Sequence, residues 1–397
     1  MNRDLNNSIT KFLNLFEEVF DRDWEHSREM LGIRDETEEQ RRAAQEMGLE
    51  TIEIISRDGT FINMSCVSFS LLRNTVHWES GFRLQYRYCN PFHLTYARYS
   101  NELPDYFKKS QAMLADQLDA SGNVARRGPC PCFSDIEVVA LTLTAEYLSI
   151  DSENLLFKKI HADYKDAFPT LHSRPQFNRR KRALFPLIEQ LRRKLLAPFL
   201  AGENVFLTDS KPLAICEYAR SAQTSISQEV DYAQPSYGYC ASKQEHYYGY
   251  KLHSMHTAEG VMAHLDLSPA HQHDVNFLYD LQDKLFNSML ICDKGYLSQD
   301  WQQRFKTRNN TLLYCPKRRN QRSTTPHFIA LFDRARRQVE RTYAQLKDQF
   351  LIERNYAKTF WGYKTRILSK ITALTMIQHI NKFELNRPIN IIKHPIY

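Results

Sequence analysis

The 397-residue chain has no apolar run near the ~20 residues that a membrane-crossing helix needs, which argues against a membrane protein. It has no secretory leader pattern: MNRDLNNSITKFLNLFEEVFDRD is polar and acidic, so a cytoplasmic location is expected. It has no matched pair of CxxC motifs. Its eight cysteines are scattered, and the lone CPC at Cys130 and Cys132 has no partner cluster. A zinc ribbon is therefore not expected, and reduced, partly buried thiols are. No internal repeat is visible. The 42% hydrophobic and 25% charged residues belong to a globular chain, long enough for two or three domains.

What is present is uneven charge. Residues 1–120 carry 14 Lys+Arg against 20 Asp+Glu, a net −6; the rest carry 53 − 14 = 39 against 46 − 20 = 26, a net +13. A basic body behind an acidic front suits a polyanionic partner, although an ordinary basic enzyme surface looks the same.

The periodicity divides the chain further. Residues 1–62 read as two helices (NSITKFLNLFEEVF and DETEEQRRAAQEMG) and a strand pair turning at Asp58-Gly59. Residues 63–120 are rich in aromatics, Ser and Arg, with no steady period, and SGNVARRGPCPC at 121–132 reads as a linker. From 133 the pattern is helical. FSDIEVVALTLTAEYLSI opens with a capping box, Ser134 with Glu137; DSENLLFKKIHADY is a second helix; and a basic helix follows Ser173 with Pro175 in its first turn.

Strands begin near 203. NVFLTD ends on Asp209, a hairpin turns at Glu259-Gly260, HDVNFLYDLQDKLF is a helix, and SMLICD is a strand ending at Asp293. A helix, the strand NTLLYCP, the basic loop RRNQRSTT, a long helix opening at Pro326 and a last amphipathic helix complete a βββαβαβα order. An apolar strand that ends on a carboxylate raises the question of what meets that charge, because an unpaired buried charge is costly. Adjacent central strands would bring Asp209 and Asp293 together. A third acid is best sought on the long helix, where Arg336, Glu340 and Lys347 lie close to one face. Converging carboxylates repel, and oxygen-only ligands suit Mg²⁺ or Mn²⁺.

FLTDSKP, CDKGY with its D-x-G signature, and RRQVERTYAQLK with its R-x3-E-x6-K pattern resemble a bacterial insertion-sequence transposase with a DDE catalytic domain. Asp333 stands where that family has Tyr. The resemblance runs over roughly 125–385. It implies an α/β fold: a ribonuclease-H-like mixed sheet with flanking helices, after an all-helical DNA-binding region. The α+β N-terminal extension read from the pattern of the first residues fits the family poorly. The expected domains are 1–120, an acidic extension that is either a fusion remnant or an accessory domain; 121–200, helical and DNA-binding; 201–385, catalytic; and 386–397, a tail. Asp209, Asp293 and Glu340 would be catalytic and hold two Mg²⁺ or Mn²⁺ ions, usually about 3.5–4 Å apart in such sites. Arg336 and Lys347 would hold phosphates. The implied chemistry is cleavage at terminal inverted repeats and strand transfer into double-stranded target DNA, with self-association to at least a dimer. The alternatives are a catalytically silent DNA-binding derivative and a nuclease without strand transfer.

Other features divide similarly. Arg179, Arg180, Lys181 and Arg182 on the basic helix, and Lys317, Arg318, Arg319 and Arg322 in the loop, suit DNA phosphates; a solvated basic face is the plainer alternative. Glu340 could equally pair with Arg336 one turn before it. HQHD at 271–274 reads as a turn into a helix rather than a zinc site, with Asp274 a helix cap. Asp266, Asp274 and Glu353 are rival acids. The tyrosines at 237, 239, 247, 248 and 250 suit sheet packing better than base stacking.

Overall fold

A computed structural model describes residues 51–55, 61–65, 106–165, 168–241, 243–316 and 326–392. The chain forms two compact units, 1–100 and 101–397. In the first, β1 (Thr51–Ile55) pairs antiparallel with β2 (Phe61–Ser65), as the alternation around Asp58-Gly59 predicts. The two helices expected before them lie outside the described residues.

The second unit opens with a helix at 106–114, which the unpatterned composition there had hidden. Tyr106 and Leu114 are fully buried, and the Tyr106 hydroxyl donates to the Ala373 carbonyl. The stretch expected to be a linker is instead a pinned turn. Asn123 is buried, its side-chain oxygen accepts from the Asp135 N–H at 3.0 Å, and Gly122 takes the left-handed φ of 77° that the turn requires.

Four helices follow: α1 (Asp135–Tyr147), α2 (Glu153–Asp163), α3 (Arg174–Ala183) and α4 (Phe185–Leu200). The capping box at α1 forms as the sequence predicts. Ser134 Oγ accepts from the Glu137 N–H, and the Glu137 carboxylate accepts from the Ser134 N–H at 2.6 Å. Ser134→Ala should cost about 1 kcal/mol, read as a lower melting temperature, because it leaves one first-turn donor unsatisfied.

The sheet consists of β3 (Val205–Ala214), β4 (Ser236–Cys240), β5 (Glu245–Thr257), β6 (Met262–Pro269), β7 (Met289–Cys292) and β8 (Leu312–Tyr314). Its order is β4-β5-β3-β7-β8, with β6 pairing the rest of the outer edge of β5. β3 runs antiparallel to β5 and parallel to β7, and β7 is parallel to β8, so the sheet is mixed. β4 was not separated from the tyrosine run by pattern. Tyr247, Tyr248 and Tyr250 are buried, whereas Tyr237 and Tyr239 on β4 are exposed.

Helices α5 (Phe277–Leu281), α6 (Gln299–Asn309), α7 (Pro326–Asp348) and α8 (Phe360–His379) complete the unit. α5 is shorter than its apolar pattern predicts. The Asn309 side-chain amide donates to the carbonyls of Gln282 and, at 2.7 Å, Leu285, which lets the chain leave the helix. The sequence predicts an amphipathic α8, but this helix is buried on nearly every side, lying against α1, α4 and β6. Its hydroxyls survive burial by bonding back one turn: Ser369 to the Thr365 carbonyl at 2.9 Å and Thr375 to that of Ile371 at 2.8 Å. Its two buried basic residues meet Glu146 of α1: Lys370 Nζ at 2.5 Å and Arg366 Nε at 3.2 Å. Beneath the sheet, Phe206, Leu290, Leu313, Phe277 and Phe305 share one apolar core. A mixed sheet with flanking helices is the α/β arrangement expected, and it fits a ribonuclease-H-like domain.

Candidate active site

The parallel register of β3 and β7 pairs Val205 with Met289 and ends with Thr208 opposite Cys292. The next residue on each side is Asp209 or Asp293. Two carboxylates far apart in the chain therefore meet just beyond the last rung of the ladder. β3 does not end at Asp209, as its sequence suggests, but continues to Ala214. Only β7 stops; β5 follows β3 through Leu213 and Ala214. Pro212 is tolerated because β3 has become an edge there.

Asp209, Asp293, Arg336 and Val339 line an open cleft of about 390 Å³. Burial pushes the Asp209 carboxyl up to about 6; the neighbouring charges of Asp293 and Asp274 push the same way, against the Ser210 N–H and Arg336. The Ser210 N–H donates to Asp209 Oδ1 at 2.8 Å.

Helix α7 is anchored over this pair. Val339, Tyr343 and Leu346 are buried. The Tyr343 hydroxyl lies 2.6 Å from Ser254 Oγ and donates to the Asp209 carbonyl at 3.4 Å, while Thr342 Oγ1 donates to the Gly260 carbonyl at 2.7 Å. Arg336 is the charged α7 residue that lines the cleft. Its guanidinium is raised by its hydrogen bond to Glu340 and by the charges of Glu340, Asp293 and Asp209.

Glu340 does not join the two aspartates. It is exposed and accepts from Arg336 Nε at 2.9 Å, the helical i,i+4 pairing that is the alternative to a metal role. Among the described residues no three His, Cys, Asp or Glu side chains are grouped to hold a metal ion. Asp209 and Asp293 are nevertheless a fitting start for one: oxygen-only donors whose mutual repulsion and burial a divalent cation would relieve. Glu340 is held by Arg336 and stands apart from them.

The expected DNA contacts separate. Arg179 and Lys347 are exposed and Arg182 is half-buried against α8, its Cδ 3.8 Å from where a Cβ on Gly362 would lie. Arg180 is turned inward. Its guanidinium donates to Asp135 Oδ1 at 2.5 Å and to the Phe133 carbonyl, which spends its charge on a fully buried carboxylate. Lys181 is likewise occupied by Glu153. Lys317, Arg318, Arg319 and Arg322 lie outside the described residues.

Of the rival acids, Glu353 takes Lys211 at 3.0 Å and Asp266 lies 3.9 Å from Lys364. Asp274, a rival acid for which the sequence favours a helix cap, is not a cap. It opens a short 3-10 turn (Asp274–Asn276) in which His273 holds the cap position, and it makes no cap of its own. Its Oδ1 accepts from Ser210 Oγ and Lys251 Nζ, each at 3.1 Å, beside the aspartate pair. An Asp before an apolar run carries the same local signal in either role, so pattern alone does not choose between them.

Residues 200–376 match the family model described as "Transposase DDE domain". No curated protein and no solved structure matches the chain.

Proposed function

We propose, from the match of residues 200–376 to the transposase DDE domain model, that the protein is an insertion-sequence transposase that cuts DNA at the ends of an element and joins the freed 3′-hydroxyls to target DNA. The side-by-side placement of Asp209 and Asp293 at the mouth of a cleft, under a helix bearing Arg336, carries this reading. Asp209 and Asp293, with Glu340 once released from Arg336, would hold two divalent cations, Mg²⁺ or Mn²⁺. Bound there, such ions polarise a phosphodiester and lower the pKa of the attacking water or hydroxyl. Arg336, freed from Glu340, is then in place to donate to a DNA phosphate at the cleft. Tyr343 and Thr342 hold α7 against the sheet.

Residues 121–200 would form the DNA-binding region, with Arg179 and Arg182 on phosphates and Arg180 excluded by its bond to Asp135. Residues 201–385 would be catalytic, with Lys347 and the basic residues Lys317, Arg318 and Arg319 contacting the backbone; 1–120 would be an accessory or fused extension and 386–397 a tail. Joining two element ends in one event calls for at least two copies of the chain.

One observation favours a second reading. A chain whose Arg336–Glu340 pair never opened would bind DNA without cutting it. Incubating the full chain with Mg²⁺ and DNA that flanks its gene separates the two, with cleavage and joining of 3′-hydroxyl ends expected. Glu340→Gln should lower cleavage by roughly 100-fold or more, as expected for loss of several kcal/mol of transition-state stabilisation. DNA binding without cleavage by the unaltered chain would overturn the proposal. Cleavage without joining would reduce it to a nuclease. Binding should also weaken steeply with salt, and Arg179→Ala or Lys347→Ala should each lower the salt slope by about one.

A further inference from the structure

The two aspartates lie beyond the last paired rung of β3 and β7, so no backbone ladder holds their segments together. One side chain touches both segments. Asp274 Oδ1 accepts from the hydroxyl of Ser210, the neighbour of Asp209, at 3.1 Å. Its Oδ2 faces the α-carbon of Gly295, two residues past Asp293, so closely that a Cβ built there would lie 3.2 Å from it. Lys251 Nζ holds the carboxylate in place, donating to Oδ1 at 3.1 Å and to the Gln272 carbonyl at 2.8 Å.

The geometry points to Asp274 as a positioning residue that sets the spacing of Asp209 and Asp293, and to the missing side chain of Gly295 as the room it needs. The inference rests on the metal-binding role proposed for the pair. Asp274 acts behind that pair, with its Oδ1 occupied by Ser210 and Lys251. It explains the glycine of the D-x-G signature by a contact from a distant turn instead of by backbone conformation. Partners that orient metal ligands in this way typically change affinity or activity 10–100-fold when removed.

The test is Mn²⁺ titration of the full chain, read by electron paramagnetic resonance, with thermal melts alongside. Asp274→Ala should weaken Mn²⁺ binding about 10–100-fold. Asp274→Asn should restore part of it, because the amide oxygen still accepts from Ser210 and Lys251. Gly295→Ala should weaken binding in the unaltered background and add little in the Asp274→Ala background, since the group its Cβ would meet is gone. Should Asp274→Ala fail to fold, Asp274→Ser, whose shorter side chain also vacates the Oδ2 position, carries the same comparison with Gly295→Ala, singly and combined. Affinity unchanged in the Asp274 variants, or Gly295→Ala and Asp274 effects that simply multiply, would overturn the inference while leaving the proposed function standing. No Mn²⁺ binding by the unaltered chain would overturn both.

Discussion

Asp209→Asn is expected to lower DNA cleavage about 1,000-fold or more while making the metal-free protein more stable. The loss follows from the proposed role of Asp209 as a metal ligand, since the cations it would hold would supply several kcal/mol of charge stabilisation. The gain follows from the carboxyl's own position. Its ordinary value is 3.8, and burial with the neighbouring Asp293 and Asp274 charges raises it to about 6, so ionising it disfavours the folded state. The difference corresponds to about 3 kcal/mol. A carboxyl raised by folding contributes fully below pH ~4, and that contribution is lost as pH rises through ~6. The amide stands in for the protonated form. The stability difference between the Asp209→Asn variant and the unaltered chain should therefore be near zero at pH ~4 and approach about 3 kcal/mol at pH ~8 in chelator. Denaturant melts across that range read it directly. Added Mn²⁺ should shrink the difference, because it binds only the unaltered site. Equal stability at both pH values would show that Asp209 is not under electrostatic stress.

Lys370→Ala is expected to be the most destabilising single change outside the cleft. Lys370 is 1% exposed and Glu146 is 4% exposed. Burial pushes the Glu146 carboxyl up, but the charges of Lys370, Arg366 and Lys181 together hold it below the usual carboxylate range. Lys370 also donates to the Phe350 carbonyl at 2.6 Å, so the pair ties α1, α8 and the end of α7. Removing one partner of such a pair leaves a buried charge under-compensated, at a cost of about 3–5 kcal/mol. For a domain of this size that is a fall of roughly 10 °C in melting temperature. The double change Glu146→Gln with Lys370→Met, which removes both charges, should recover much of the loss. A Lys370→Ala protein that melts with the unaltered chain would show the pair to be dispensable.

The sequence reveals this site only as far as local pattern reaches. Met289, Leu290 and Ile291 announce a strand, Asp293 its end, and Ser134 with Glu137 a helix start, because each is written in neighbouring residues. The pairing of Asp209 with Asp293 was legible since adjacent parallel strands align their ends. The continuation of β3 past Asp209 was not, because Ser210, Lys211 and Pro212 look like a turn and are held extended only by β5. Burial all round α8 was equally hidden. Its Arg366, Lys370 and Thr residues suggest a wet face until Glu146 and the carbonyls one turn back supply their partners. Arg180 and Arg182 look alike in sequence, yet Asp135 claims only the first. Asp274 and Glu340 differ in the same way: the sequence favours a helix cap for one and the third acid of a motif for the other, and position in space puts the first behind the aspartates and the second on Arg336.

The burial of α8 has a consequence for the timing of synthesis. Asp209 sits on the first strand of the six-stranded sheet, Asp293 ends the fifth, and α8, which covers α1 and α4, is translated after all of them. At about 5–20 residues per second, roughly ten to thirty seconds separate the emergence of Asp209 from that of α8. Throughout that interval a ribosome-bound chain holds apolar helices without their cover. The domain that carries the Asp209–Asp293 pair therefore gains its full packing only near the end of translation.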